Sequence, residues 1–358
     1  MDELIKSQKE ILGINDFLDE AKIYTKDVIG KVDLDKSLDS ILSGDIAWVF
    51  ESLNIKESIA LEMSSVVKLF VIILEIIIIS SILKNILESL NVSSVSKNIY
   101  FIQYLVIVIL IVNSFVPILN ATIDSINRVI GFMNMLIPIL ITLVLTTGNI
   151  VATSMMEPVL IMMMNFVAMF VNSFVVPFCL MSFVISILAN LLGKIKLEKI
   201  SNIFKNVTIW TLGIVLTVFI TVLSLESTIT SSVDGLAGKA TKAAVSGFIP
   251  VVGKIMGDSA DTVLGSVNVL KNSVGIMGTI IIFVIAVMPS VKVACYWILF
   301  KTLAALSEPC ADENVVNLFE VISDNYKVLL GILFSITIMF VIGIAIVLKT
   351  TNMSLMYR

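Results

Sequence analysis

The sequence offers little material for catalysis. None of its 358 residues is histidine, and only three are cysteine, namely Cys179, Cys295 and Cys310. The absence of histidine excludes histidine-based acid–base chemistry and histidine-ligated metal sites. The cysteines form no C-x-x-C pair, and two of them lie in or beside apolar segments, so we expect buried, unreactive thiols rather than disulfides or metal ligands. The sequence therefore predicts a protein that is not an enzyme and that uses no cofactor and no metal.

Charge is also scarce, since charged residues make up 15% of the chain and hydrophobic residues 58%. The net charge is −4 and no basic patch occurs, so nucleic acid is not an expected partner. Apolar runs of about 20 residues match the ~30 Å hydrocarbon core of a bilayer. These features predict an all-α, polytopic helical integral membrane protein, with about eight transmembrane helices in a range of about six to nine.

The apolar runs predict the positions of these spans. They are 66–87, 99–119, 128–147, 155–173, 175–193, 207–225, 274–294 and 328–348. The fourth and fifth come from one run whose ~60 Å length is too great for one crossing, so we place a break near Asn172–Pro177. The segment 295–306 is too short for a span and is expected to be re-entrant or interfacial.

Four regions follow from this pattern. Residues 1–65 form an amphipathic helical N-terminal region, in which 46–53 (IAWVFESL) predicts a helix lying on the membrane surface or packed on the protein itself. Residues 66–225 form a first membrane bundle of about six spans. Residues 226–273 form a region rich in Gly, Ser and Asp that is amphipathic or re-entrant. Residues 274–358 supply the C-terminal membrane helices and a short tail.

Lysine placement predicts the orientation. The segment 193–206 (GKIKLEKISNIFKN) has four lysines and one glutamate, which is typical of a cytoplasmic loop. Counting spans from this loop places both termini, and residues 226–273, outside the cytoplasm. Residues 1–20 contain no apolar signal-peptide core, so either the sequence starts at a mature terminus or the orientation is inverted.

Three polar residues inside the predicted spans are candidate functional residues. Glu75 lies in the middle of the first span, where a carboxylate costs at least ~2–3 kcal/mol. It could line a pore or couple ion movement, or it could form a structural hydrogen bond to another helix. Asn165 and Asn172 share one helix face, and we expect them to make polar contacts between helices, since amides at such positions contribute ~0.6–2 kcal/mol.

The stretch 247–275 (GFIPVVGKIMGDSADTVLGSVNVLKNSVG) contains a glycine–lysine element that does not fit a phosphate-binding loop. Five residues separate Gly247 from Gly253, and no hydroxyl residue follows Lys254, so the backbone cradle and the magnesium ligand are both missing. Gly253 and Gly257 instead favour close helix packing. Two further predictions concern this stretch. Pro250 is a candidate hinge, and Lys254 and Asp258 are a candidate i,i+4 ion pair.

A stripe of small and polar residues runs along the helix that follows. Its members are Asp261, Gly265, Asn268, Asn272, Gly275 and Thr279, at alternating steps of four and three. Such a stripe can line an aqueous conduit or form a tight interface with a neighbouring helix or subunit. The interface is favoured because Gly265 and Gly275 have no side chain to offer a solute.

The same stretch, followed by FVIAVMPSVKVACYWILFKTLAAL, resembles the C-terminal half of the stage III sporulation protein AE family. The resemblance extends over most of the chain and is strongest over 235–310. It implies a non-catalytic, channel- or permease-like membrane subunit of the SpoIIIA–SpoIIQ type transport complex between mother cell and forespore. The implied location is the mother-cell membrane surrounding the forespore.

The resemblance also implies partners. They are other SpoIIIA-operon membrane proteins, including a separate ATPase and ring-forming subunits, together with the forespore protein SpoIIQ, the lipid bilayer and further copies in an oligomer. Family members carry an N-terminal signal peptide that is absent here, which fits a processed terminus. Two other functions stay open, a proton- or ion-coupled secondary transporter using Glu75, and a membrane scaffold that anchors extracytoplasmic rings.

Overall fold

The computed structural model describes residue 9 and residues 13–25, 34–43, 55–90, 93–147, 149–192, 198–248 and 252–356. Within these ranges, several side chains near helix ends and most of those in 231–264 are not described. No strand occurs in this part of the chain, which confirms an all-α protein. Pro250 and the segment 46–53 lie outside the described residues, so the predicted hinge and surface helix stay predictions.

Nine α-helices make up the described fold. They are α1 (Ile14–Thr25), α2 (Leu34–Ser43), α3 (Ile55–Ser89), α4 (Ser93–Thr146), α5 (Ile150–Phe170), α6 (Val176–Leu192), α7 (Glu198–Phe248), α8 (Val252–Ser307) and α9 (Glu313–Met356). A π-helical turn, Val171–Val175, joins α5 directly to α6. Several of these helices exceed one bilayer crossing, since the 54 residues of α4 extend over roughly 80 Å.

Six helical segments are long and apolar enough to cross a membrane among the described residues. Their bounds are Glu62–Leu87, Asn98–Thr146, Thr153–Leu191, Lys199–Thr230, Gly265–Ser307 and Glu313–Lys349. The polytopic membrane class is therefore confirmed, and the number lies at the lower end of the predicted range. The region boundaries predicted at 65/66, 225/226 and 273/274 all fall inside continuous helices.

Two predicted chain breaks are wrong. The spans predicted at 99–119 and 128–147 are one helix, α4, which runs through Pro117 and the polar residues after it. The break predicted at Asn172–Pro177 is instead the π turn, in which the Val176 N–H donates to the Val171 carbonyl. Pro177 lacks an N–H and its ring clashes with the carbonyl four residues earlier. A wider π turn before it accommodates the ring without ending the helix.

A third expectation is also wrong, since 295–306 is not a separate re-entrant segment. These residues form the last turns of α8, which continues without interruption from 274–294 to Ser307. A short turn, 308–312, then leads into α9, where the Ala311 and Cys310 N–H groups donate to the Ser307 carbonyl. Cys310 is exposed on this turn, whereas Cys179 is buried and Cys295 is half-buried.

The long helices form a bundle built around the α8–α9 hairpin. Stacked aromatic rings occupy its centre, with Phe115 and Phe183 at a centroid distance of 3.5 Å and Tyr326 stacked on Phe300 at 5.4 Å. Helices α4 and α9 run antiparallel to α8, because Ser125 donates to the Ile285 carbonyl and Gly275 packs against Leu348. Aromatic and branched apolar side chains thus hold the hairpin against α4, α6 and α7.

Two contacts fix the height of α3 on this bundle. The Glu62 carboxylate pairs with Lys292 at 3.0 Å, and Lys84 pairs with Asp312 at the hairpin turn. We call the part of the bundle between these two contacts the lower half. It consists of α3, 98–120 of α4, α6, 198–210 of α7, 292–307 of α8 and 313–329 of α9. The remaining described parts of the long helices, including 265–291 of α8, form the upper half. Each half is about 30–40 Å tall.

The N-terminal helices pack on the side of the upper half. Phe17 and Tyr24 of α1 contact Phe132 of α4, with ring centroids 6.1 and 6.3 Å apart. Helix α2 is paired with the start of the chain through Lys9 and Asp39. The apolar faces of both short helices are therefore buried against the bundle.

Candidate functional site

A charged stripe follows one face of α9. It consists of Glu313, Asn317, Glu320, Asp324 and Lys327, all of which are exposed. Their alternating spacing of four and three residues places them on one face of a helix. Sequence reasoning missed this stripe because it took 295–306 as re-entrant or interfacial and assigned no helix between 307 and the span at 328–348. The a/d-type spacing was visible in the sequence and could have revealed it.

Lysines from two neighbouring helices pair with the acids of this charged stripe. Lys301 of α8 lies 3.1 Å from Glu320, and Lys205 of α7 lies 2.9 Å from Asp324. A groove of about 500 Å³ lies between α8 and α9 beside the stripe, and Glu308 and Glu313 contribute to its lining. The charges of both signs give this face a surface that water and ions can solvate.

The charged stripe lies at the same height as the apolar helix α3. Both occupy the lower half, between the Glu62–Lys292 contact and the hairpin turn. Most side chains in the apolar part of α3 are exposed, which is typical of a lipid-facing helix. The lower half therefore has an apolar flank at α3 and a charged flank at α9. The lower half as a whole is therefore amphipathic, with an apolar side suited to lipid and a charged side suited to water.

Above Lys327 the same face of α9 becomes apolar. A groove of about 610 Å³ lies there between α8 and α9, with Phe283, Val287, Phe334 and Ile338 among its lining residues. This face of α9 thus changes from charged to apolar at the height where the lower half ends.

A buried polar cluster holds the charged face of α9 in place. Ser186 and Ser201 hydroxyls lie 2.6 Å apart across α6 and α7, and the Asn325 amide donates to Ser186 at 3.3 Å. One residue further, the Tyr326 hydroxyl lies 3.3 Å from Ser114 of α4. Hydrogen bonds between membrane helices are each worth ~0.6–2 kcal/mol. Directly behind the charged stripe, α9 is therefore bonded to α6 and α4, and the Ser186–Ser201 contact links this cluster to α7.

Glu75 lies on the outer surface of α3, away from the charged stripe. Its exposed neighbours on that surface are the apolar residues Ile72, Ile78 and Ile79. Among the described residues it makes no hydrogen bond or ion pair. It lies about 20 Å from Glu62 and about 14 Å from Lys84 along the helix, close to the middle of the lower half. The structure therefore places this acid on the exposed apolar side of the bundle.

The predicted asparagines lie on the α5–α6 segment. Asn172, in the π turn, donates to the Asn127 side chain of α4 at 3.1 Å. Asn165 is exposed on α5. The polar contacts between helices that the sequence predicts for Asn165 and Asn172 stay a prediction.

The stripe predicted along α8 has mixed surroundings. Gly275 is buried, and a Cβ there would lie 2.5 Å from Leu348 of α9, whereas Gly265 has no atom within 4 Å of such a position. Asn268 and Asn272 are half-buried, and Thr279 donates to the Gly275 carbonyl. Gly253, Lys254, Gly257, Asp258 and Asp261 belong to α8, but their side-chain surroundings lie outside the described residues.

Sequence reasoning also missed two charged residues in the upper half. Lys271 of α8 is fully buried and donates to Asn268 at 3.2 Å. Both carboxylate oxygens of Glu226 in α7 are buried, and among the described residues they accept no hydrogen bond. Within that same part of the chain, no group of three metal-ligating side chains occurs.

Comparison with known proteins identifies one family. The family model described as "Stage III sporulation protein AE (spore_III_AE)" matches residues 32–351. A protein named "Stage III sporulation protein AE" from Bacillus subtilis (strain 168) is 29% identical over 259 residues, which is 72% of this chain. The match spans 65% of that relative's length. No solved structure matches the chain.

Proposed function

Because the chain belongs to the stage III sporulation protein AE family, we propose that it is a non-catalytic channel- or permease-like subunit. Its role would be in the transport complex between mother cell and forespore that endospore formation requires. The observation that carries this proposal is the charged stripe of α9 at the height of the apolar helix α3. A charged outer face on α9, at the same height as the exposed apolar face of α3, fits the wall of an aqueous passage.

Exposing the charged stripe to lipid would cost a large free energy. Each of the four charged residues in the stripe would cost ~2–3 kcal/mol or more if it faced hydrocarbon. The pairs with Lys301 and Lys205 offset only part of that cost, because exposed ion pairs contribute ~0–1 kcal/mol. The stripe is therefore expected to face water or another subunit when α3 crosses the bilayer.

Glu75 favours a subunit over a self-contained transporter. A coupling acid lines an internal cavity or a water-filled path between helices. Glu75 instead lies on the outer face of α3 among exposed isoleucines, on the apolar flank of the lower half. This position supports a contact with lipid or with a neighbouring protein more than ion coupling within one chain.

We extend the proposal to location and partners. The chain is a multi-pass membrane protein, which we assign to the mother-cell membrane around the forespore. The end of α6 at Leu192 and the start of α7 at Glu198 lie at the same end of the bundle as the turn 308–312. The lysines of 193–206 in the sequence therefore support a cytoplasmic lower end and an extracytoplasmic N-terminus. Energy would come from the separate ATPase, and the ring-forming subunits and SpoIIQ would meet the upper end.

Replacing the acids of the stripe tests this function. We expect the double substitution Glu320→Leu with Asp324→Leu to abolish formation of heat-resistant spores while the protein level in membranes stays normal. The matched control is Asp16→Leu with Glu20→Leu, which makes the same chemical change on the exposed face of α1. Normal sporulation by the stripe variant would refute the proposal, as would an equal defect in the control.

A further inference from the structure

We propose that the upper half of the bundle stands outside the bilayer, and that a neighbouring copy of this chain covers its apolar flank on α5 and α7. This inference concerns membrane placement and assembly, and it does not depend on the proposed transport function. It rests on a polar boundary at mid-height, on the position of α1, and on the exposed side chains of the upper half.

Polar and aromatic side chains form a boundary between the two halves. The Glu62–Lys292 ion pair lies at this height, and the Asn127–Asn172 hydrogen bond lies about 10 Å or less above it. Trp210 of α7 is 74% exposed there. Tryptophan and charged residues concentrate at the membrane–water interface, where a ring can face both media. The boundary lies about 30 Å from the hairpin turn, which is one hydrocarbon thickness.

Helix α1 shows that water reaches the upper half. It packs against Phe132, about a turn or more above the boundary, through Phe17 and Tyr24. The opposite face of α1 presents Asp16, Asp19 and Glu20 to the outside, and all three are exposed. A bilayer at this height would surround three carboxylates with hydrocarbon, which is strongly unfavourable. We therefore place the lower half, whose flank on α3 is exposed and apolar, in the membrane.

The opposite flank of the upper half is apolar although it lies outside the bilayer. Its exposed large side chains are Met155, Ile161, Met162, Phe166 and Met169 of α5, and Ile214, Val218, Leu225 and Ile229 of α7. They expose roughly 900 Å² in total, taking about 200 Å² for a fully exposed large side chain. The largest apolar patch of an ordinary soluble monomer is ~300–600 Å². Something must therefore cover this flank.

A second copy fits this flank for two reasons. The exposed area is close to the ~800 Å² that each partner contributes to a stable protein interface. Exposed residues between the large side chains of α7 are small hydroxyl residues, namely Thr217, Thr221, Ser224 and Thr228. The hydroxyls of Thr217 and Thr228 donate to their own helix, and the exposed residues of α7 named here carry no charge. Two such faces can approach closely without charge repulsion.

Nitroxide spin labels in the full chain, reconstituted in liposomes, test both parts. The native cysteines are replaced, and single cysteines carry the label at Met162 and Leu225 in the upper half. Ile79 and Leu188, exposed in the lower half, are the matched controls. Oxygen concentrates in lipid and a charged nickel chelate stays in water, so the two collision rates distinguish lipid, water and protein surroundings.

We expect high oxygen and low nickel collision rates at the two control positions, and low rates of both kinds at Met162 and Leu225. Dipolar broadening at Leu225 should also be present, and should disappear when labelled chains are diluted with unlabelled ones. High oxygen accessibility at Met162 and Leu225 would place the upper half in the bilayer and overturn the proposal. High nickel accessibility, or low rates without broadening, would overturn the neighbouring copy.

Discussion

Replacing Gly275 with alanine tests how closely α8 and α9 pack in the upper half. A Cβ at this position would lie 2.5, 2.9 and 3.1 Å from the Cδ1, Cδ2 and Cγ atoms of Leu348. Because Cγ is among the clashing atoms, rotating the ends of the leucine side chain does not relieve the contact. Overpacking of this kind costs ~1–3 kcal/mol. Alanine regains ~1 kcal/mol of helix propensity, so the net loss is about 0–2 kcal/mol.

The matched control separates these two effects. Gly331→Ala gains the same helix propensity in α9, but nothing lies within 4 Å of its new Cβ. Reversible unfolding in detergent micelles should show Gly275→Ala to be less stable than Gly331→Ala by ~1–3 kcal/mol. In a Leu348→Ala background, which removes Cγ and both Cδ atoms, this difference should vanish. Equal stability of the two glycine variants, or no coupling to Leu348, would refute the reasoning.

Three further predictions concern other contacts. Tyr326→Phe removes only the hydroxyl contact with Ser114 and should lower the free energy of unfolding by ~0.6–2 kcal/mol, far less than the ~3–5 kcal/mol of a large-to-alanine change. Glu75→Leu should leave the isolated chain at least as stable, and a marked destabilisation in micelles would contradict its outward position. Asp312→Lys should destabilise by up to ~1 kcal/mol, and adding Lys84→Glu should restore stability, which the same unfolding assay measures.

Much of the fold could be predicted because hydrophobic periodicity and length determine it locally. Among the described residues, every predicted span is helical apart from Thr147, and α3 contains the whole of the first one. The short helices α1 and α2 also follow from their amphipathic pattern, since Phe17 and Leu38 are both buried. These features need no information about which helices are neighbours.

The errors arose where length alone was used to divide a helix. A 60 Å apolar run was divided at Asn172–Pro177 on the assumption that all of it must lie in one bilayer. In the structure the run continues through the π turn, because one residue of extra width accommodates Pro177. The assumption fails when part of a helix packs against protein above the membrane, and a single sequence does not show which part that is.

The candidate site could be predicted only in part. The residues of the charged stripe have a regular spacing that the sequence alone shows. Their role, however, depends on whether they lie at the same height in the bundle as the apolar helix α3. That height is fixed by pairs separated by about 230 residues, such as Glu62 with Lys292. Glu75 was identified from its cost in a bilayer, but its outward direction depends on which face of α3 packs against α8.

The turn between α8 and α9 supplies a native chemical reporter of sidedness. Cys310 is exposed on it, whereas the other two thiols of the chain are buried or half-buried. A thiol that is shielded by protein and lipid reacts slowly with a charged maleimide. A membrane-impermeant maleimide will therefore modify chiefly this one side chain. Modification in intact cells would place the turn outside the cytoplasm, and modification only in inverted vesicles would place it inside. The experiment therefore determines the orientation of the protein without any substitution.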